Sequence, residues 1–458
     1  MENKLHRKYG LFTAICMVVG IVIGSGVFFK AQNILAMPGI DLPLGIIAWL
    51  IGGAIMLVCL LAFSFMGQKY EKVNGLVDYA EATVGPKFGY YMGWFSSTIY
   101  YPAMTSVLVW LSALYTMEFI TGIFPDFPLL VEGNYATGPE CLVLTMFYLC
   151  ACYAINVLSP KLAGKFQVST TVIKMIPLAL MAIVGVVVGL TSGLLTQNFS
   201  APPVETATAG ANPLFAAVCA TAFAYEGWII ATAMNAEIKD SKKNLPKALI
   251  LGGIVIVATY VLYFVGVAGG ATTAELKASG TTVAFNNIFG SVLGSILKLF
   301  VAISCLGTTN GLMMASSRSL YALSARGQGP NPDTYGQVDP KTNMPNNASI
   351  LSLVIISAWF GYFFLATQLK TWTGIFVFDS SELPIITIYL MYIPMFIQWM
   401  RKEKEQNVLR RFILPILALC GSVFMVIACI IGHGWGCLWY LIVFAVIMAI
   451  GSLFRKKR

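Results

Sequence analysis

The chain has 458 residues, of which 58% are hydrophobic and 11% charged, with a net charge of +9. Soluble domains carry about 25% charged residues, so this chain has too little polar surface to meet water, and an ordinary soluble enzyme or binding module is excluded. The positive charge is scattered over alternate loops rather than gathered on one face, which argues against a nucleic-acid-binding surface.

Apolar runs of about 20 residues recur along the chain, each long enough to cross ~30 Å of hydrocarbon as a helix. Backbone in lipid must satisfy its own hydrogen bonds, which leaves helices as the reasonable form for runs this long. Twelve spans are predicted: 11–36, 44–66, 88–117, 139–158, 165–190, 213–236, 247–270, 291–324, 347–367, 373–400, 409–432 and 435–454. The expected fold class is therefore all-α, a polytopic membrane protein with a single transmembrane domain over residues 1–458. Of the 29 basic residues, 24 fall in the tails and in the loops on one side of this arrangement. Lys and Arg in short loops stay on the cytoplasmic side, so both termini are placed in the cytoplasm of a cell-membrane protein. The basic start before residue 11 resembles a signal peptide but lacks a small-residue cleavage site, and 11–36 is read as a retained helix.

In the first span, Gly24, Ser25 and Gly26 follow Gly20 near the bilayer midplane, and glycine weakens a helix there. Gly20 and Gly24 also form G-x-x-x-G, a helix-contact pattern that gives the bland alternative of close packing. The functional reading is a broken helix whose freed N–H groups and positive half-helix end receive an anionic group such as a carboxylate. Lys174 lies about ten residues into the fifth span, ~15 Å deep, too far for easy snorkelling. It reads either as a fixed ammonium replacing a bound sodium ion or as half of a structural ion pair. The sixth span holds Phe223-Ala224-Tyr225-Glu226-Gly227-Trp228, a second glycine interruption five spans after the first, as expected of inverted five-helix repeats. A carboxyl at that depth costs about 2.5–3.5 kcal/mol, so Glu226 should face a wet cavity and act in selection, proton coupling or gating, or else be a hydrogen-bonded structural acid. In the tenth span Asp379 and Glu382 would share a helical face at i and i+3, lining an outer vestibule or pairing with Lys30 or Lys370.

The ten cysteines lie nearly all within apolar spans without metal-ligand spacing and read as small buried apolar residues. With two histidines in the chain, no metal site or cofactor is expected. The same scarcity argues against a membrane-embedded enzyme, and paired helix interruptions without a filter loop argue against a channel. A sensor on a carrier-like frame stays open, and would bind a ligand without exchanging it.

These features together resemble the amino acid–polyamine–organocation superfamily, in its L-amino-acid transporter branch with the bacterial serine/threonine exchangers. The resemblance covers nearly the whole chain. It rests on Gly24 through Phe28, Lys174-Met-Ile-Pro177, Phe223 through Trp228, the segment Glu237 to Ala248, and Asn310-Gly311 followed by Arg318 and Tyr321-Ala322-Leu323. It implies a LeuT-like fold with discontinuous helices 1 and 6: a first repeat over 11–190, an inverted second over 213–400, and two peripheral helices over 409–454.

The resemblance further implies that the Gly24-Ser25-Gly26 backbone binds a substrate carboxylate and that carbonyls around Phe223, Ala224 and Tyr225 take the α-ammonium. Tyr101, Tyr225, Glu226 and Gly227 would shape the pocket, and Lys174 would stand in the sodium-site region of sodium-independent relatives. Exchange of small neutral amino acids by alternating access follows as the leading expectation, in a bacterial cell membrane and without a partner subunit. Glu226 stands where the serine/threonine exchangers carry Asp, and Asp379 and Glu382 depart from the family pattern. Those acids motivate the alternative of a proton-coupled importer or exchanger of cationic amino acids or polyamines.

Overall fold

The computed structural model describes residues 10–24, 26–70, 75–124, 126, 136–202, 213–229 and 238–456, and among these every regular element is helical. The helices that matter below are α1 (Leu11–Val22), α2 (Gly26–Ala36), α3 (Leu42–Lys69), α4 (Leu76–Thr83), α5 (Pro86–Ile123), α6 (Pro139–Leu158) and α7 (Pro160–Thr191). They continue as α8 (Pro213–Tyr225), α9 (Ser241–Ala268), α10 (Thr281–Ala325), α11 (Asn346–Gln368), α12 (Leu383–Lys402), α13 (Leu409–His433) and α14 (Trp435–Leu453).

Ten of these helices are long and apolar enough to cross a bilayer. The predicted first and sixth spans are not among the ten, because each is interrupted where its glycines fall. The first divides into α1 and α2, with Ile23 extended at ψ 101°. The sixth stops at Tyr225, and Gly227 follows at φ 99°, a conformation that only glycine adopts without strain. Residues 230–237, where the sixth span and the Glu237 segment were predicted to run, lie outside the described residues, as does Ser25.

The predicted tenth span begins too early. Its helix starts at Leu383 with Pro384 in the first turn, so Asp379 and Glu382 precede it and share no helical face. The reason is local. Asp379 Oδ1 accepts the N–H of Ser381 at 2.6 Å and of Glu382 at 3.1 Å, and a short acidic side chain bonding the backbone just ahead offers the chain a turn in place of a helix. The eighth helix, by contrast, extends ahead of its predicted start and bends at Gly290, φ 79°.

Helix contact in lipid depends on close backbone approach at small residues, and α7 and α9 meet through such a seam. A Cβ on Gly185 would lie 3.0 Å from the Cα of Gly266, and one on Gly269 would lie 3.2 Å from the Cα of Gly189. In α5 the turn Ser96–Tyr100 is π-wound, a distortion frequent at functional sites. Pro102 just beyond it offers no N–H to the Thr98 carbonyl, which accepts the indole Nε1–H of Trp359 at 2.9 Å instead. The widened turn sets Tyr100 and Tyr101 beside the break in the sixth span.

Candidate functional site

The two interruptions touch. A Cβ on Gly26 would stand 2.7 Å from the Cα of Ala224 and 3.1 Å from the Phe223 carbonyl oxygen. Backbone atoms cannot swing aside, so the N-terminus of α2 requires glycine here. The other two glycines serve different neighbours: a Cβ on Gly20 would meet Thr171 of α7 at 2.7 Å, and one on Gly24 would meet the Thr308 hydroxyl of α10 at 3.2 Å. The G-x-x-x-G spacing therefore serves two contacts rather than one helix-helix seam.

Breaking a helix leaves carbonyls that need donors, and here side chains from other helices supply them. Lys174 of α7, 3% exposed, donates from Nζ to Gly20 O at 2.5 Å. Tyr260 of α9 lies between the two breaks, its hydroxyl 3.1 Å from Val22 O and 3.0 Å from Ala224 O. One hydroxyl proton can satisfy one of these acceptors at a time, so Tyr260 is shared between the broken segments. The Tyr100 hydroxyl donates to Glu226 Oε1 just beyond the end of α8.

All of these residues except Tyr260 line one cavity of about 430 Å³, within the usual range of small-molecule sites. Gly24, Gly26, Tyr101, Lys174, Phe223, Ala224, Glu226 and Gly227 all border it, as the sequence suggested, together with Tyr100, Gln167 and Thr308. Tyr225 does not. Its side chain is turned into α3, donating to Trp49 O at 2.9 Å and packing edge-on against the Trp49 ring. The cavity runs from the breaks toward the end of the bundle where Gly75, Leu76 and Val77 begin α4 and where Arg318 and Ala322 approach the end of α10. Its polar character is mixed, since acid, amide, hydroxyl and ammonium groups stand among Met104, Leu108 and Leu312.

The opposite end is shut. Phe28 of α2 meets Tyr263 edge-to-face at 5.2 Å between ring centroids, and Phe29 meets Phe223 at 6.3 Å. Lys30, 1% exposed, lies 5.0 Å from the Phe223 ring centroid and 2.5 Å from Glu382 Oε1. His433, at the end of α13, places Nε2 3.0 Å from Glu382 Oε2. Of the two acids predicted near the tenth span, Glu382 thus takes Lys30, whereas Asp379 borders a shallow outer pocket with Lys370 and His433. Neither touches the central cavity.

Sequence reading missed Tyr260, Tyr100 and His433. Each is an aromatic or imidazole side chain in an otherwise apolar helix, and nothing in its local pattern distinguishes it from lipid-facing or core neighbours. Among the described residues no group of three or more His, Cys, Asp or Glu side chains could hold a metal ion.

The family model described as amino acid permease matches residues 9–452. The serine/threonine exchanger SteT of Bacillus subtilis (strain 168) is 27% identical over 449 residues, covering 95% of this chain and 94% of its own. The b(0,+)-type amino acid transporter 1 of Homo sapiens is 26% identical, covering 94% of this chain and 84% of its own. The large neutral amino acids transporter small subunit 2 of Oryctolagus cuniculus is 27% identical over 71% of this chain and 59% of its own. By name, all three are transporters or exchangers and none is an enzyme.

Proposed function

The chain belongs to the amino acid permease family, and from that premise we propose that it exchanges small neutral L-amino acids such as serine, threonine and alanine, without sodium, by alternating access. The proposed frame is LeuT-like, with inverted repeats over 11–190 and 213–400 and two peripheral helices over 409–454. The observation that carries the reading is the contact of the two interruptions at Gly26 and Ala224 beside a cavity of amino-acid size. A half-helix N-terminus at Gly26 suits a carboxylate. Carbonyls at Phe223 and Ala224 suit an ammonium, because a carbonyl engaged by Tyr260 keeps a second lone pair.

Lys174 supports sodium independence: its ammonium already holds the carbonyl end of α1, where a cation would otherwise be needed. With the basic loops cytoplasmic, the cavity opens inward and the Lys30–Glu382 side is the closed outer gate. Both termini then face the cytoplasm of a bacterial cell membrane. The single chain works alone in this reading, which purified protein in liposomes tests directly.

Glu226 favours a second reading, the proton-coupled transport of cationic amino acids or polyamines, because it puts a carboxyl on the cavity wall. One panel separates the two. Liposomes loaded with unlabelled serine, alanine, lysine or putrescine are assayed for labelled uptake with and without sodium or a pH gradient. Serine and alanine should drive sodium-free counterflow; uptake driven only by lysine or putrescine, or only by a pH gradient, would replace the first reading with the second. Binding without counterflow would make the protein a sensor.

A further inference from the structure

Glu382 has two carboxylate oxygens, and each is taken by a different helix. Oε1 receives the Lys30 ammonium of α2 at 2.5 Å, and Oε2 receives His433 of α13 at 3.0 Å. Lys30 also contacts Ser381 Oγ at 3.2 Å. The three residues bolt α2 to the start of α12 and the end of α13 on the closed side of the cavity. Of the three, His433 is the wet one: its side chain is 19% exposed, against 1% for Lys30 and 7% for Glu382, and it borders the outer pocket.

Charge decides which form of His433 suits the cluster. The charged groups facing it are Glu382 and Asp379 from the segment before α12 and Lys30 from α2, with the Cys437 thiol of α14 also adjacent; Lys370 shares the outer pocket. With an imidazolium, both oxygens of Glu382 meet a cation. With a neutral imidazole, Oε2 of that buried carboxylate loses its charged partner, which is costly in a poorly solvated place. Protonation therefore fastens the cluster and deprotonation loosens it. Glu382 links His433 to Lys30, and Lys30 sits on the same short α2 whose first residue, Gly26, abuts the opposite break, so a Glu382 held from one side only ties α2 less firmly to α13.

We propose that His433 is the pH-responsive member of a Lys30–Glu382–His433 latch, through which the pH of the compartment on the closed side sets how readily that side of the carrier opens. The proposal rests on the transport reading above and adds a regulator to it. Imidazole is the side chain whose charge changes most readily near neutral pH.

The test is counterflow in liposomes of known sidedness, with pH varied on one side at a time. Exchange in the wild-type protein should speed up several-fold as pH rises on the side away from the C-terminal tail, and pH on the tail side should not reproduce the effect. His433→Gln should flatten the profile, and His433→Lys should hold the slow, low-pH rate throughout. A wild-type profile that is flat, or one that His433→Gln leaves intact, overturns the latch. A second readout does not depend on transport. Amide hydrogen exchange over residues 26–36, corrected for intrinsic pH effects, should be faster at high pH in the wild type and pH-independent in His433→Gln. Absence of counterflow with a pH-dependent exchange of residues 26–36 would sink the transport reading and keep the latch; pH-independent exchange there would sink the latch alone.

Discussion

Of the three lysines buried among the described residues, Lys174 and Lys30 are satisfied in opposite ways. Lys174 gives its proton to a backbone carbonyl, Gly20 O, which the break in the first span has left without an intrahelical partner. Lys30 gives its proton to a side-chain carboxylate, Glu382, carried by another helix. A carbonyl belongs to the fold and is there in every state that keeps the break, so the first bond is architecture. A pair between two helices exists only while the helices stand together, so the second is a fastening. The same residue type thus holds a broken helix end beside the cavity in one place and ties two helices together in another, and the partner decides which.

The largest effect should come from breaking the fastening one-sidedly. Lys30→Met leaves Glu382 with His433 as its one remaining partner in the cluster, and removing one member of a buried pair costs about 3–5 kcal/mol; thermal unfolding of the purified protein should show the loss. Lys30→Met combined with Glu382→Met should recover most of it, because no lone charge remains. Lys174→Met should cost less, about 1–3 kcal/mol for an unsatisfied carbonyl, and the loss should appear as roughly 10- to 100-fold slower exchange. Sodium that restored the rate in this variant would show a cation replacing the ammonium, whereas a normal rate without sodium would remove Lys174 from the site. Tyr260→Phe deletes one shared hydroxyl worth about 1 kcal/mol, and substrate affinity measured by counterflow should fall by about fivefold. Smallest of all, Tyr225→Phe should lower stability by about 1 kcal/mol through the lost Trp49 bond and leave affinity unchanged, since that hydroxyl faces α3. A drop in affinity equal to that of Tyr260→Phe would mean that the cavity wall includes Tyr225 after all.

The two interruptions were legible in the sequence because glycine at mid-span, twice and five spans apart, is more than helix packing alone requires. Gly24, Gly26 and Gly227 were found by that route, Glu226 and Lys174 as ionisable groups deep in a span, and all five meet in one cavity. Tyr260 could not be found in this way. It sits in an apolar helix with Tyr263 one turn on, and only the path of α9 past both breaks separates the tyrosine that bonds the backbone from the one that packs on Phe28. Glu382 was noticed as an acid in a span but misplaced on a helix. The spacing to Asp379 suggested a shared face, whereas the Asp379 side chain holds the backbone in a turn and delays the helix to Leu383. Its true partners come from residues 352 and 51 positions away, distances at which pattern along the chain says nothing.

Lys174 and Tyr260, which between them hold the carbonyls of the first break, stand on α7 and α9, the two helices joined by the seam of Gly185, Gly189, Gly266 and Gly269. The seam therefore acts as a gauge block. It fixes the spacing of two donors that never touch each other, and a methyl group inserted at Gly266 would spread both at once. The misfit at Gly20 and at Val22 would then arrive as one event, and combining such a substitution with Lys174→Met or Tyr260→Phe should give less than the sum of the separate losses. The tolerance of the central cavity is in this sense machined outside it, along a seam that does not border it.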